Sequence, residues 1–198
     1  MDDIVKQALA KWPNVPHCYG WLALDARGHW RMRDERAQHC NLPGDKLTNA
    51  ALVGFITRNY AVDEHGCWYF QNGPQRVYVQ LEATPYIVRT DPAQGWRLHT
   101  GAPLGAPEAA FMTEAGALVL RHGDIVAQLD DRDFADVLPQ LRMDGAPVED
   151  EVLLAWLEGR AAGALTLHEV VVERIAADQL AARFGYVSVP TAPAAADR

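Results

Sequence analysis

Three places in the chain set a histidine beside a cysteine: His17–Cys18, His39–Cys40, and His65 with Cys67. Imidazole nitrogen and thiolate sulfur are the ligands tetrahedral zinc prefers, so His65, Cys67, Cys40 and Cys18 form a metal set if folding gathers them. The same residues offer a cysteine nucleophile next to an imidazole base. Against both stands the spacing. Neighbours on a strand point to opposite faces, so a His-Cys step chelates less well than C-x2-C, and ordinary burial or surface placement is the competing reading. A second cluster, Asp130-Asp131-Arg132-Asp133, has carboxylates enough for a cation or for paired acid–base work. It also has the composition of a strand end followed by a capped helix start at Phe134. His168–Glu169 and Glu173–Arg174 read as a solvated strand face.

The polar stretch FQNGPQR is the other place where function could lie. Gln71, Asn72, Gln75 and Arg76 carry several donors and acceptors on a turn that Pro74 stiffens. Arg76 suits a carboxylate or phosphate. These four residues are the binding candidates; the alternative is that they satisfy neighbouring backbone and brace the fold.

Other chemistries find little support. Ser188 is the only serine and lacks the glycines of a nucleophile elbow. Neither a phosphate-binding P-loop nor G-x-G-x-x-G occurs, and no cofactor is expected. The formal net charge is −8, with scattered basic residues, which disfavours nucleic acid. No apolar run approaches the roughly 18 residues a membrane helix needs, and the first residues lack the pattern of a signal peptide. The odd count of three cysteines suits a reducing, cytoplasmic setting.

The elements that must position these residues follow from hydrophobic spacing. Residues 2–12 read as a helix with Ile4, Val5, Ala8, Leu9 and Trp12 on one face, stopped by Pro13. Next, Leu22, Leu24, Trp30 and Met32 alternate across DARGHW, the pattern of a hairpin. Asp25 opens the turn and Gly28 closes it. DEHGCW at Asp63–Trp68 writes the same turn again, and TEAGALVL holds a degraded third copy, read as Glu114, Gly116, Leu118 and Leu120. Past those turns the second and third copies stay in step, with Gly73 opposite Gly123, Gln80 opposite Gln128 and Glu82 opposite Asp130. Separately, Leu42–Ile56 aligns without gaps with Met143–Leu157, matching Gly44 to Gly145 ahead of two amphipathic helices for which Asn49 and Asp150 are the capping candidates. Further on, TLHEVVVERI reads as a strand, AADQLAARF as a helix and YVSV as a last strand.

The expected fold class is therefore α+β, with two diverged hairpin–helix–strand units and mainly antiparallel sheets. The units are placed at 1–99 and 108–190, with a Gly/Pro-rich linker at Thr100–Pro107 and a disordered tail at 191–198. One irregular α+β domain that reuses common turn chemistry is the alternative.

The stretches NVPHCYGWLALDARGHWRMRDE and GCWYFQNGPQRVYVQLEATP, with the Leu47–Tyr60 helix between them, resemble a group of bacterial proteins of unknown function. The strand, D-x-x-G-x-W, helix, hairpin order is more loosely similar to a second uncharacterised family, associated with repeated structural motifs and a suggested role in signal transduction. Neither resemblance carries a catalytic motif. Taken with the residues, they imply a non-catalytic ligand- or protein-binding module, with a metal- or cysteine-dependent enzyme and a self-assembling structural protein as alternatives. The partner is an unidentified protein or small molecule, or a second copy of the chain.

Overall fold

An aspartate and a glycine three residues apart close hairpins because the carboxylate can hold the far side of the turn. In the computed structural model, which describes residues 1–93 and 95–193, the Asp25 amide donates to the His29 carbonyl at 3.0 Å and Asp25 Oδ1 accepts from the His29 amide at 2.8 Å. Asp63 does the same with Cys67, at 3.0 and 2.9 Å. Gly28 and Gly66 both sit at φ +77°, where a side chain would be strained. The third copy is also a hairpin turn, but its first residue is Thr113 rather than Glu114. The Thr113 amide donates to Ala117 O at 3.0 Å, and its hydroxyl accepts from the Ala117 amide at 3.1 Å. A threonine oxygen replaces the carboxylate as acceptor, and this substitution hides the pattern in the sequence.

These hairpins sit in two compact units. The first comprises residues 1–25, 29–83 and the segment from Gly185 onward. It holds α1 (Asp3–Lys11), β1 (Cys18–Leu24), β2 (Trp30–Met32), α2 (Glu35–His39), β3 (Asp45–Lys46), α3 (Ala50–Arg58), β4 (Tyr60–Val62), β5 (Trp68–Asn72) and β6 (Gln75–Leu81). The sheet order is β3-β2-β1-β6-β5-β4, antiparallel except for the central β1–β6 pair. Leu22, Leu24, Ile56, Phe70, Val79 and Leu81 are buried. Trp30, 2% exposed, packs edge-on to Tyr60, whose ring in turn meets the half-buried Trp68. Of the apolar residues placed on one face of α1, only Val5 is buried.

The second unit comprises Ala26–Gly28 and Thr84–Phe184. It holds β7 (Tyr86–Asp91), β8 (Gly95–Leu98), β9 (Ala109–Thr113), β10 (Leu118–His122), β11 (Ile125–Leu129), α4 (Phe134–Val137), β12 (Leu141–Met143), β13 (Ala146–Pro147), α5 (Asp150–Leu157), β14 (Leu165–Leu167), β15 (Val170–Ile175) and α6 (Leu180–Phe184). Its sheet runs β13-β12-β14-β15-β9-β10-β11-β7-β8, with parallel pairing only at β15–β9 and β11–β7. Met112, Leu118, Leu120, Leu141, Leu165 and Leu167 are at most 1% exposed and form its core.

The order β2-β1-β6-β5-β4 in one sheet and β8-β7-β11-β10-β9 in the other is the same arrangement. Leu22, Ala23 and Leu24 pair with Val79, Gln80 and Leu81; Tyr86, Ile87 and Val88 pair with Ala127, Gln128 and Leu129. One residue further, the Glu82 amide donates to Leu24 O at 3.0 Å and the Asp130 amide to Val88 O at 2.9 Å. The correspondence of Gln80 with Gln128 and of Glu82 with Asp130 thus holds in register. The fold is α+β with two similar units and mostly antiparallel sheets, as the spacing implies.

The unit limits differ from those expected. Strands β7 and β8, placed with residues 1–99, belong to the second sheet, and the chain returns to the first unit at its end, where Leu81 N donates to Ser188 O at 2.8 Å. Both are non-local pairings that no local pattern announces. The supposed linker at Thr100–Pro107 is part of the second unit: Leu104 is 2% exposed and its amide donates to Trp96 O. YVSV makes a single bridge, Cys67 to Val187, rather than a strand. His168, at φ +53°, turns the chain between β14 and β15, so His168–Glu169 is a turn and not a strand face. Of the aligned helices, α3 is capped by Asn49 Oδ1 accepting from the Leu52 amide, whereas α5 has Glu149 at the cap position with no side-chain bond and Asp150 as its first residue. The tail at 191–198 lies mostly outside the described residues. No helix among those residues is long and apolar enough to cross a membrane.

Two predictions follow from backbone and burial. Gly44 and Gly145 share positive φ, +81° and +85°, but a Cβ on Gly44 would lie 2.3 Å from Met32 O while Gly145 has nothing within 4 Å. Gly145→Ala should cost only the left-handed strain, about 1–2 kcal/mol, and Gly44→Ala clearly more, as read by urea denaturation. His99 accepts the Ile87 amide at Nδ1, 3.2 Å, and burial, aided by the positive charge of Arg89, pushes its pKa from 6.5 down to about 4. Between these values the unfolded chain binds a proton the folded one refuses. Stability should be complete above pH 6.5 and fall on the order of 2–3 kcal/mol toward pH 4. His99→Asn, which keeps an acceptor, should flatten that stretch of the stability–pH curve.

Candidate functional site

The loop between β5 and β6 spends much of its polarity on its own unit. Gln71 is fully buried and its Nε2 donates to Gly73 O at 2.9 Å. Gln75 Nε2 donates to Pro16 O at 2.9 Å, pinning the segment that leads into β1. The Arg76 guanidinium lies 4.5 Å from the centre of the Tyr69 ring. Next to it Tyr78, stacked on Tyr19, donates its hydroxyl to Asp63 Oδ2 at 2.9 Å, and burial together with that bond pushes its phenol up to about 12. What this loop offers a ligand is the exposed Asn72 and the outer edge of Arg76.

The cysteine–histidine set does not assemble. Among the described residues no three His, Cys, Asp or Glu side chains gather as a metal-holding group. Cys18 begins β1, Cys40 caps the C-terminus of α2, and His65 and Cys67 lie in the β4–β5 turn with Cys67 bridged to Val187. Burial raises the Cys18 thiol, and burial with the nearby Asp63 raises that of Cys67. Both shifts lower the thiolate fraction, the reverse of what an activated nucleophile needs.

The acidic cluster is structural. Asp130, fully buried, accepts from Arg89 Nε and Arg132 Nε, each at 2.9 Å. Burial alone would raise its pKa, but the two guanidinium groups hold it well below the ordinary carboxylate range. Asp133 Oδ2 accepts from the Thr90 amide at 2.8 Å, and Asp131 forms a two-point pair with Arg27, both contacts at 2.8 Å.

Two cavities, one in each unit, bring together groups that no sequence motif had joined. The larger, about 540 Å³, lies in the second unit. Leu153, Leu154 and Leu157 of α5 line it with Leu118, Leu129 and Phe134. Its polar side chains are Gln128, Asp131 and Asp150. The sequence carries a trace of this cavity. DEVLLAWL has more apolar positions than one buried face can use, and Leu154 remains 58% exposed.

The smaller cavity, about 200 Å³, lies in the first unit where β1, β2 and β6 meet the Asn41–Pro43 turn. Asp25 and Arg33, each 6% exposed, line it together with Arg31, Asn41, Gln80 and Glu82. Asp25 Oδ2 accepts from Arg31 Nε at 2.8 Å and faces His29 Nδ1 at 3.2 Å. Arg33 gathers the loop around itself. Its Nε donates to Leu42 O at 3.0 Å, Nη1 to Gln80 Oε1, and Nη2 to Ala37 O and Asn41 Oδ1, both at 3.3 Å.

Comparison with known proteins gives a family but no activity. A family model described as "Protein of unknown function (DUF2946)" matches residues 1–191. The crystal structure of a DUF1285 family protein from Silicibacter pomeroyi DSS-3, at 2.50 Å resolution, is similar over 91% of this chain and 98% of its own, with 15% sequence identity and a TM-score of 0.47. No curated protein matches the chain.

Proposed function

The chain belongs to that family of proteins of unknown function, and we propose that it acts as a non-catalytic binding module whose ligand is an apolar or amphipathic small molecule. The observation that carries this reading is the 540 Å³ cavity beneath α5. Its volume falls in the range of roughly 300–1,000 Å³ usual for small-molecule sites, and its mostly apolar lining with a few polar groups is the usual composition of such sites. The ionisable side chains lining it are Asp131 and Asp150, and Asp131 is already paired with Arg27. Among the described residues that line it, no nucleophile stands beside a base. Ligand capture without chemistry suits a regulatory role. Self-assembly is a second reading, favoured by the exposed Val152 and Leu154 of the same helix.

N-phenyl-1-naphthylamine, a neutral dye that brightens in apolar surroundings, tests the proposal. It should bind saturably at one site per chain, and Leu154→Glu should weaken binding at least tenfold without lowering the melting temperature. Dye binding that is absent, or unchanged in this variant, would remove the reading. Light scattering on the same two proteins decides the second: a mass that rises with concentration and falls in Leu154→Glu would favour assembly.

A further inference from the structure

Resting on the reading that the apolar cavity of the second unit holds a small molecule, we infer that this molecule is an amphipathic cation of the alkylamine class. The first argument is the stripe that α5 lends to the cavity. Asp150, Leu153, Leu154 and Leu157 all line it, and they stand at i, i+3, i+4 and i+7 of one helix. That spacing sets them on a single face, one above the other. The stripe therefore opens with a carboxylate and continues as leucine. At roughly 1.5 Å of rise per residue, it runs about 10 Å from Asp150 to Leu157. A molecule with a charged head and an alkyl tail has the same order along its length.

The second argument is the sign of the charge. The described residues that line the cavity include two carboxylates and no lysine, arginine or histidine. Asp131 is compensated by its two-point pair with Arg27. Asp150 has no hydrogen-bond or ion-pair partner for its side chain among the described residues, and neither have Glu149 and Glu151 on either side of it. Three successive carboxylates thus stand at the opening end of the leucine stripe. Their field draws a cationic head toward Asp150 and repels the carboxylate of a fatty acid. The start of a helix favours acids on its own account, so the charge is tested by ligand choice rather than by stability.

Size and protonation fit the same class. At roughly 30 Å³ for each water-sized group, 540 Å³ has room for about 18 of them, more than the carbons and nitrogen of decylamine. Leu118 and Phe134 add to the apolar wall that its tail would meet. The head of a primary alkylamine is chemically that of a lysine side chain and is protonated at pH 7.

Competition against N-phenyl-1-naphthylamine tests the head group. Decylamine, decanol and decanoate share one tail, and each is titrated below the concentration at which it forms micelles. At pH 7 decylamine should displace the dye at a concentration at least tenfold lower than decanoate does. Asp150→Asn should weaken decylamine about threefold to fivefold, the modest effect of a solvent-facing charge pair, while the dye and decanol bind as before. Asp150→Glu should keep the wild-type order, and added salt should narrow the gap between decylamine and decanoate. If the dye itself does not bind, this inference falls together with the apolar site. If the dye binds but decanoate competes as well as decylamine, or Asp150→Asn leaves decylamine unchanged, the cationic head is wrong and the apolar site stands.

Discussion

Each unit hangs on one pairing, in which the first strand of the shared pattern lies parallel to its last. In the first unit β1 takes β6 as partner; in the second β7 takes β11. The strands so joined are separated by more than 30 residues of chain, and the cost of closing that loop is recovered only when the sheet face is buried. Val79 and Leu81 on one side, and Ala127 and Leu129 on the other, are the side chains that recover it; all are under 5% exposed. The hairpins on either side of this seam are local and need only their turns. The seam itself sets which residues after β6 and β11 arrive beside β1 and β7, and so positions Glu82 and Asp130.

That division explains what was legible in the sequence. Turn chemistry is local, and the two Asp-x-x-Gly turns were readable because carboxylate and glycine each do one physical job. The shared register of Gln80 with Gln128 was readable because it follows from alternation counted out from such a turn. The parallel seam is not readable, since parallel pairing leaves no mark in the residues that join it, and so nothing local separates β7 and β8 from residues 1–83. Thr113 is hidden for a smaller reason, that a hydroxyl and a carboxylate can accept the same bond.

The candidate sites divide the same way. Polar residues crowded in sequence, at Gln71–Arg76 and Asp130–Asp133, turn out largely to brace turns and strand ends. The two cavities draw on residues far apart in the chain, Arg33 with Gln80 and Glu82, Leu118 with Leu154, and proximity of that kind exists only after folding. Arg33 lies between the two cases. Its burial depends on carbonyls from the next few residues, but its relation to Gln80 depends on the seam.

The segment from Gly185 to Val189 has a consequence for the order of events during synthesis. Gly66 accepts it closely, with Val187 N donating to Gly66 O at 2.9 Å, and Leu81 donates to Ser188. These partners are made early by the ribosome, whereas the segment that completes them follows only after residues 84–184 of the other unit. The amino-terminal sheet must therefore wait, with one flank uncovered, while the whole of the other unit is translated, and a nascent chain stalled before residue 185 would present that flank to chaperones.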